Sequence, residues 1–222
     1  MPQLGSLALG AIVKVRENGV VQDFYLAAHG YPSSSRTLLV RRYVLDTQRA
    51  FDSVSGAYFS SAIDDYVNNT WLGLLDDAAA REVGNVTIVA SHNHPGGTTQ
   101  AARKAFVLSI KELGRAYQDS GTTEADYANI EGQKLPTASM LTKATTSSGL
   151  AVAQWTRSTY HRSTYTSRAY WIGATGIATW NTVVTLGYVR PCFTLPFTIE
   201  VNANNEITLK TPSIPHHIKP LG

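Results

Sequence analysis

The dipeptide Asn18-Gly19 most constrains the fold, because it lies between two runs of β-type residues. The runs read "AIVKV" before the dipeptide and "VVQDFYLAA" after it. Asn and Gly tolerate the positive φ angles of a tight two-residue turn, so the segment predicts an antiparallel hairpin. A third run, "TLLVRRYVL", follows after further turn residues. We therefore expect β structure from residue 11 to residue 46.

One amphipathic helix is predicted over residues 61–80. Its apolar residues recur at helical spacing and fall on one face, namely Ile63, Val67, Trp71, Leu74 and Ala78. Ser61 is followed three residues later by Asp64, which is a capping-box arrangement and predicts the start of the helix.

The rest of the chain alternates between β-type segments and loops. The run "NVTIVA" at 85–90 predicts a buried strand, whereas residues 99–117 fit either a helix or a short strand that leads into a helical turn. Residues 119–150 are polar and rich in Gly, Ser and Thr, and they predict a long irregular loop. From residue 151 onward β-type segments return, before a Pro-rich tail.

Composition excludes several classes of function. Charged residues make up only 16% of the chain and the net charge is +3 with no basic cluster, so we expect no nucleic-acid partner. No apolar run approaches the roughly 20 residues that span a bilayer, and the N-terminal segment lacks the features of a signal peptide. Cys192 is the single cysteine, so no intrachain disulfide is possible. A polar surface poor in charge suits secreted and virion proteins.

The stretch "SHNHPGG" raises the question of a metal site, because His92 and His94 are two residues apart after a predicted strand. The pattern resembles the His-x-His-Pro motif of JAMM-type zinc hydrolases, which also need a Ser and an Asp at fixed positions farther along. Those positions hold Ala102 and Ala105, which can neither bind zinc nor hold an oxyanion. We therefore expect a loop of turn-forming residues, with no catalytic residue, metal or cofactor.

Aromatic and arginine residues are interleaved between residues 154 and 190, a mixture enriched at protein interfaces and suited to stacking on sugar rings. We expect Trp155, Trp171 and Trp180 in the core, and the tyrosines of "STYHRSTYTSRAY" at the surface. The candidate ligand-binding residues are Tyr127, Tyr160, Arg162 and Tyr165.

Five segments resemble, in order, an uncharacterised domain family of Firmicutes proteins and gut-phage structural proteins. They read "LGSLALGAIVKVRENGVVQDFYLAAHGYPSS", "AIDDYVNNTWLGLLDD", "FVLSIKELG", "WTRST" and "GYVRPCFTLP". The resemblance implies an α+β, C-type-lectin-like fold similar to formylglycine-generating-enzyme-like domains, a twisted antiparallel sheet with one or two helices and long loops. Within the motifs, Trp155 would lie in the core, and Arg157 and Arg190 would bond loop carbonyls or carboxylates. Thr156 and Thr159 depart from the usual Leu and Pro, and the calcium-binding signatures of true lectins are absent.

The sequence therefore predicts an anchoring segment at 1–10, a lectin-like domain at 11–200 and a C-terminal strand and extended tail at 201–222. We expect a non-enzymatic phage virion protein of a tail fibre, baseplate or capsid surface, released by lysis. It would form a homo-oligomer, contact other virion proteins and attach to a host-surface glycan or protein. The alternatives are a purely structural decoration or connector subunit, a metal-dependent hydrolase using His92 and His94, and a bacterial surface adhesin.

Overall fold

The computed structural model describes residues 1–32, 35–91, 98–116, 132–160 and 166–208, which form a mixed α+β fold with several small antiparallel sheets and few helices. The strands are β1 (Ile12–Glu17), β2 (Val20–His29), β3 (Arg36–Arg41), β4 (Arg49–Ala50), β5 (Val86–Ser91), β6 (Thr98–Arg103), β7 (Ala105–Phe106), β8 (Ala144–Thr145), β9 (Ala151–Val152), β10 (Gln154–Thr159), β11 (Arg168–Ile172), β12 (Ala178–Thr182), β13 (Leu186–Gly187) and β14 (Cys192–Pro196). The α-helices are α1 (Ala62–Asp65), α2 (Asp77–Ala80) and α3 (Ala138–Leu141), with a π-helical turn at Tyr66–Thr70 and 3₁₀ turns at Leu4–Ser6, Tyr58–Ser60 and Trp71–Leu74.

The largest sheet has five strands in the order β1-β2-β3-β14-β7. Its first two strands form the predicted hairpin, with Glu17 opposite Val20 and with positive φ angles of 48° at Asn18 and 75° at Gly19. The third predicted strand is also present, but it ends at Arg41. Strand β14 pairs with β3 on one side and with β7 on the other, so a strand from late in the chain lies inside the sheet.

The predicted helix begins where its cap was expected, because the Ser61 hydroxyl accepts a 3.1 Å hydrogen bond from the Asp64 backbone N–H. It does not continue to residue 80 as one helix. The α-helical, π-helical and 3₁₀ turns follow one another without a gap, and the last of them ends at Leu74. The helix α2 is separate from them. The interruption has a tertiary cause, since the Asn18 N–H donates to the Leu74 carbonyl at 2.8 Å and Leu75 forms a β-bridge with Glu17. These contacts with the β1–β2 hairpin therefore end the helical segment at Leu74.

The core lies where this helical segment meets the five-stranded sheet. Trp71 is fully buried, and its ring centroid lies 6.5 Å from that of Phe24 and 6.0 Å from that of Phe193. Burial of one large apolar side chain contributes roughly 1.5–3 kcal/mol, so these rings stabilise the contact strongly. Asn68 also ties the helix to β7, because its amide donates to the Ala105 carbonyl at 2.9 Å and accepts from the Ala105 N–H at 3.1 Å.

The described part of the ambiguous segment 99–117 follows the second alternative, because strands β6 and β7 are followed by a turn over residues 110–114. Strand β6 pairs with β5, whose predicted strand is confirmed, and Phe106 of β7 lies opposite Cys192. The prediction of an irregular loop was incomplete, because its described part contains α3 and β8. Apolar side chains at spacings of three are buried there: Leu135, Ala138, Leu141 and Ala144.

The first and last described segments of the chain pack against each other and against the five-stranded sheet. Leu4 is fully buried, and its backbone N–H donates to the Ile199 carbonyl at 2.7 Å. Val201 forms a β-bridge with Ile207, whose N–H bonds to the carbonyl of Lys14 on the edge strand β1. Among the described residues, none of the helices has the length and apolar character needed to cross a bilayer.

Candidate functional site

Most of the candidate ligand-binding residues lie outside the described part of the chain. This holds for Tyr127, Arg162 and Tyr165, and also for the histidine pair of the "SHNHPGG" stretch, His92 and His94. Tyr160 is the one candidate of this set whose position the structure describes.

Tyr170 is fully buried and Tyr160 has only 4% of its surface exposed, so the expectation that these two tyrosines lie at the surface was wrong. Tyr160 follows β10 directly, and its ring centroid lies 5.8 Å from that of Tyr170 and 5.2 Å from that of Trp180. These two residues are paired opposite each other on β11 and β12. The rings of Tyr170 and Trp180 cover Tyr160, so the Tyr160 ring packs beneath Trp180.

Trp180 is the exposed member of this group, with 36% of its surface accessible. The Arg168 guanidinium lies 3.8 Å from the centroid of the Trp180 ring and 5.8 Å from that of Tyr160. We call Tyr160, Arg168 and Trp180 the aromatic platform. The expectation of a core position was thus wrong for Trp180. It is confirmed for Trp155, which is 2% exposed, whereas Trp171 is partly buried against the core.

The aromatic platform suits binding better than proton or group transfer. It presents a partly exposed indole with a guanidinium stacked on the ring, and both groups contact apolar and planar ligand surfaces well. Its position was not evident from the sequence, because Arg168 and Trp180 meet only through the pairing of β11 with β12.

Arg157 lies in the interior, with 1% of its side chain exposed. It forms a two-pronged contact with a carboxylate, one of the two kinds of partner expected for it. Nη1 donates to Glu112 Oε2 at 2.6 Å, and Nη2 donates to Glu112 Oε1 at 2.8 Å. Its Nε also donates to the Val89 carbonyl at 2.9 Å, so the side chain joins β10 to β5.

Among the described residues, four hydrogen bonds hold Glu112, two from Arg157 and two from other donors. The Tyr31 hydroxyl donates to Oε1 at 2.5 Å, and the Ser109 N–H donates to Oε2 at 3.0 Å. Burial, and then the charge of Glu112, raise the pKa of Tyr31 well above its ordinary value of 10.0. Because these four bonds occupy about the full acceptor capacity of a carboxylate, Glu112 acts as a structural anchor for Tyr31, Ser109 and Arg157.

The sequence contains a local signal for the position of Glu112. Ser109 and Glu112 have the Ser-x-x-Glu spacing of a capping box, and the structure shows both of its bonds. The Glu112 N–H donates to the Ser109 hydroxyl at 3.1 Å, in return for the bond from the Ser109 N–H. This reciprocal pair fixes the turn that delivers Glu112 to Arg157.

Arg190 also forms the contacts expected of it, here with backbone carbonyls. Its guanidinium donates to the carbonyls of Arg41 at 2.7 Å, Leu141 at 2.8 Å and Arg42 at 2.9 Å. Burial lowers the pKa of Arg190 to about 10. The residue therefore ties the end of β3 to α3 without any carboxylate partner among these bonds.

Three of the segments that carry the family resemblance meet at the Glu112–Arg157 pair. Tyr31 comes from "HGYPS", Glu112 from "FVLSIKELG" and Arg157 from "WTRST". The Tyr31 ring also stacks on Phe106 with centroids 5.8 Å apart. In the described part of the chain, these motifs build an interior network.

The environment of Cys192, the single cysteine of the chain, is that of a packed core residue. Cys192 is fully buried, its thiol donates to the Phe106 carbonyl at 3.1 Å, and burial raises its pKa well above 9.0. Thiolate chemistry is therefore suppressed at this position. The ranges 1–32, 35–91, 98–116, 132–160 and 166–208 contain no group of three His, Cys, Asp or Glu side chains placed to hold a metal ion.

Comparison with known proteins identifies one family. Residues 34–197 match the model described as "Domain of unknown function (DUF6273)", a range that runs from just before β3 to just after β14. The match includes Glu112, Arg157, Arg190 and the aromatic platform. No curated protein and no solved structure matches the chain. Because the matched range covers most of the 222 residues, the chain belongs to the DUF6273 family.

Proposed function

We propose that this chain is a non-enzymatic phage virion protein with a C-type-lectin-like domain that attaches the particle to a host-surface glycan or protein. It would be a component of a tail fibre, a baseplate or the capsid surface. The observation that carries the proposal is the exposed Trp180 ring with Arg168 stacked on it. The resemblance to gut-phage structural proteins supplies the biological setting.

The aromatic platform has the chemistry of an attachment surface. Trp and Arg are the side chains most enriched among residues that dominate binding energy at interfaces. Stacking and the buried Tyr160 ring restrain both side chains before a ligand arrives, which reduces the conformational entropy lost on binding. The part of the Trp180 indole that stays exposed beside Arg168 can also pack against the apolar face of a sugar ring.

The composition supports a place within a particle. A surface with few charged residues has little long-range repulsion between copies, which favours a homo-oligomer and contact with other virion proteins. No basic cluster in the sequence offers a nucleic-acid surface.

The proposal is tested by applying purified protein to an array of bacterial surface glycans, with and without EDTA, and measuring its mass in solution. We expect binding that survives EDTA. The variant Trp180→Ala should weaken it at least about tenfold, as expected for a central aromatic contact. Ile177→Ala is the matched control, because Ile177 is also exposed but has no aromatic ring.

Equal binding by the wild type and Trp180→Ala would remove the aromatic platform from the attachment surface. Failure of the wild type to bind any glycan or host cell, together with a stable oligomer, would replace attachment with a structural role in the virion.

A further inference from the structure

A polar groove of about 500 Å³ lies between the helical segment that starts at Ala62 and the end of β6. It shares no residue with the aromatic platform. Its lining includes Asp64, Asp65 and Asn69 of the helical segment, together with Arg103 and Lys104. We propose that this groove is a separate binding site for a neutral, hydroxyl-rich ligand such as a sugar residue.

The floor of the groove is rigid and electrically compensated. Arg103 Nη2 and Nε donate to Asp64 Oδ2 at 2.7 Å and 2.9 Å, and Nε also contacts Asp64 Oδ1 at 2.9 Å. Asn68 donates a further bond to Asp64 Oδ1 at 3.1 Å. The pairing raises the pKa of Arg103, whereas burial raises the pKa of Asp64 against the pull of the same guanidinium. These bonds fix the floor before any ligand binds.

The rim carries polar groups with unused bonding capacity. The Asn69 amide donates to Asp65 Oδ1 at 2.7 Å, which holds both side chains side by side. Within the described part of the chain, the second oxygen of Asp65 and the side-chain oxygen of Asn69 form no hydrogen bond. The side chains of Asn85 and Lys104 likewise make no hydrogen bond to described residues. The groove therefore presents both donors and acceptors, which is what a hydroxyl group requires.

The charges of the groove select against ionic ligands. The Asp64 and Arg103 charges cancel at the floor, and the lining carries one further carboxylate, Asp65, and one further cation, Lys104. A carboxylate ligand would meet Asp65, and an ammonium ligand would meet Lys104, whereas neutral hydroxyls can bond to both. Phe59 and Leu72 add apolar surface for the C–H groups of a sugar ring.

The site is tested by calorimetric titration of the intact protein with neutral monosaccharides (glucose, galactose, mannose and N-acetylglucosamine). Glucuronic acid and glucosamine serve as charged counterparts. We expect at least one neutral sugar to bind, and to bind more tightly than its charged counterparts. Asn69→Ala and Asp65→Ala should each weaken that binding by about tenfold, the loss expected for a good polar contact with a ligand. Both residues are exposed, so the melting temperature should not change.

Asn204→Ala is the matched control, because Asn204 is also exposed and lies outside the groove. Trp180→Ala should leave the titration unchanged, which separates this site from the aromatic platform. The proposal is overturned if no neutral sugar binds, if a charged sugar is preferred, or if the groove variants bind like the wild type. It is also overturned if Trp180→Ala abolishes the signal.

Discussion

The Arg157 guanidinium and the Glu112 carboxylate form a two-pronged ion pair in the interior, with N–O distances of 2.6 Å and 2.8 Å. Neither side chain has more than 1% of its surface exposed. A buried pair of this kind contributes little net stability compared with an apolar pair of similar volume, but removing one partner leaves an uncompensated charge. The pair therefore makes the fold dependent on both residues together.

We expect Arg157→Met to lower the free energy of unfolding by about 3–5 kcal/mol, because it strands the Glu112 carboxylate in the core. The double variant Arg157→Met/Glu112→Gln should be more stable than Arg157→Met alone, since it removes the stranded charge. Urea denaturation of the four proteins in this double-mutant cycle measures the coupling.

The exposed pair Arg16–Glu206 serves as the control for that cycle, because 46% of the Arg16 side chain is accessible. Arg16→Met should cost at most about 1 kcal/mol. Equal losses for Arg16→Met and Arg157→Met would show that burial of the ion pair does not matter.

Substitution by alanine should have opposite effects on stability at two exposed glycines, Gly19 and Gly73. Gly19 has a φ of 75°, and Gly73 lies in a 3₁₀ turn with an ordinary φ, yet an added Cβ would meet no atom within 4 Å at either position. Gly19→Ala should therefore lower the free energy of unfolding by about 1–2 kcal/mol through backbone strain alone. Gly73→Ala should leave it unchanged or raise it by up to about 1 kcal/mol. Thermal and urea denaturation check both, and a stabilising Gly19→Ala would contradict the positive φ angle.

Stability should fall steeply at alkaline pH, because burial raises the pKa values of Tyr31 and Tyr58 well above 10.0 and that of Cys192 well above 9.0. In the unfolded chain these groups lose their protons near their ordinary pKa values, while the folded chain retains them. The unfolded state then binds fewer protons, so the free energy of unfolding decreases as pH rises. Each group contributes up to about 1.4 kcal/mol per pH unit.

Denaturation midpoints between pH 8 and pH 11 test this pH dependence. Tyr58→Phe should reduce the slope above pH 10 by up to about 1.4 kcal/mol per pH unit, because one ionising group is removed from the unfolded chain. An unchanged slope would mean that Tyr58 ionises equally in the folded and unfolded states.

The parts of the fold that were predicted correctly depend on neighbours in sequence. The Asn18-Gly19 turn and the Ser61 cap each use groups only a few residues apart, so the sequence shows them directly. The end of the helix at Leu74 was not predictable in this way. It depends on Asn18, which is distant in sequence and is brought close by the fold.

The candidate site shows the same division. The types of bond formed by Arg157 and Arg190 were expected, but the partner of Arg157 was not, since Glu112 reaches it only through the Ser109 turn. Tyr160 was expected at the surface and is buried, whereas Trp180 was expected in the core and is exposed. Which of two aromatic side chains becomes covered is decided by the pairing of β11 and β12 and by the packing around it, and composition does not report that.

Strand β14 lies between β3 and β7, so the main sheet cannot be completed until residues 192–196 have been synthesised and have left the ribosome. Until then β3 has no partner on that side, and Phe24 and Trp71 lack the Phe193 ring that packs against both. Until those residues emerge, the nascent chain therefore exposes an open sheet edge and aromatic surface, a state prone to aggregation. Production of this protein in the cell thus depends on how long that edge remains open, and chaperones that shield it during translation should increase the yield.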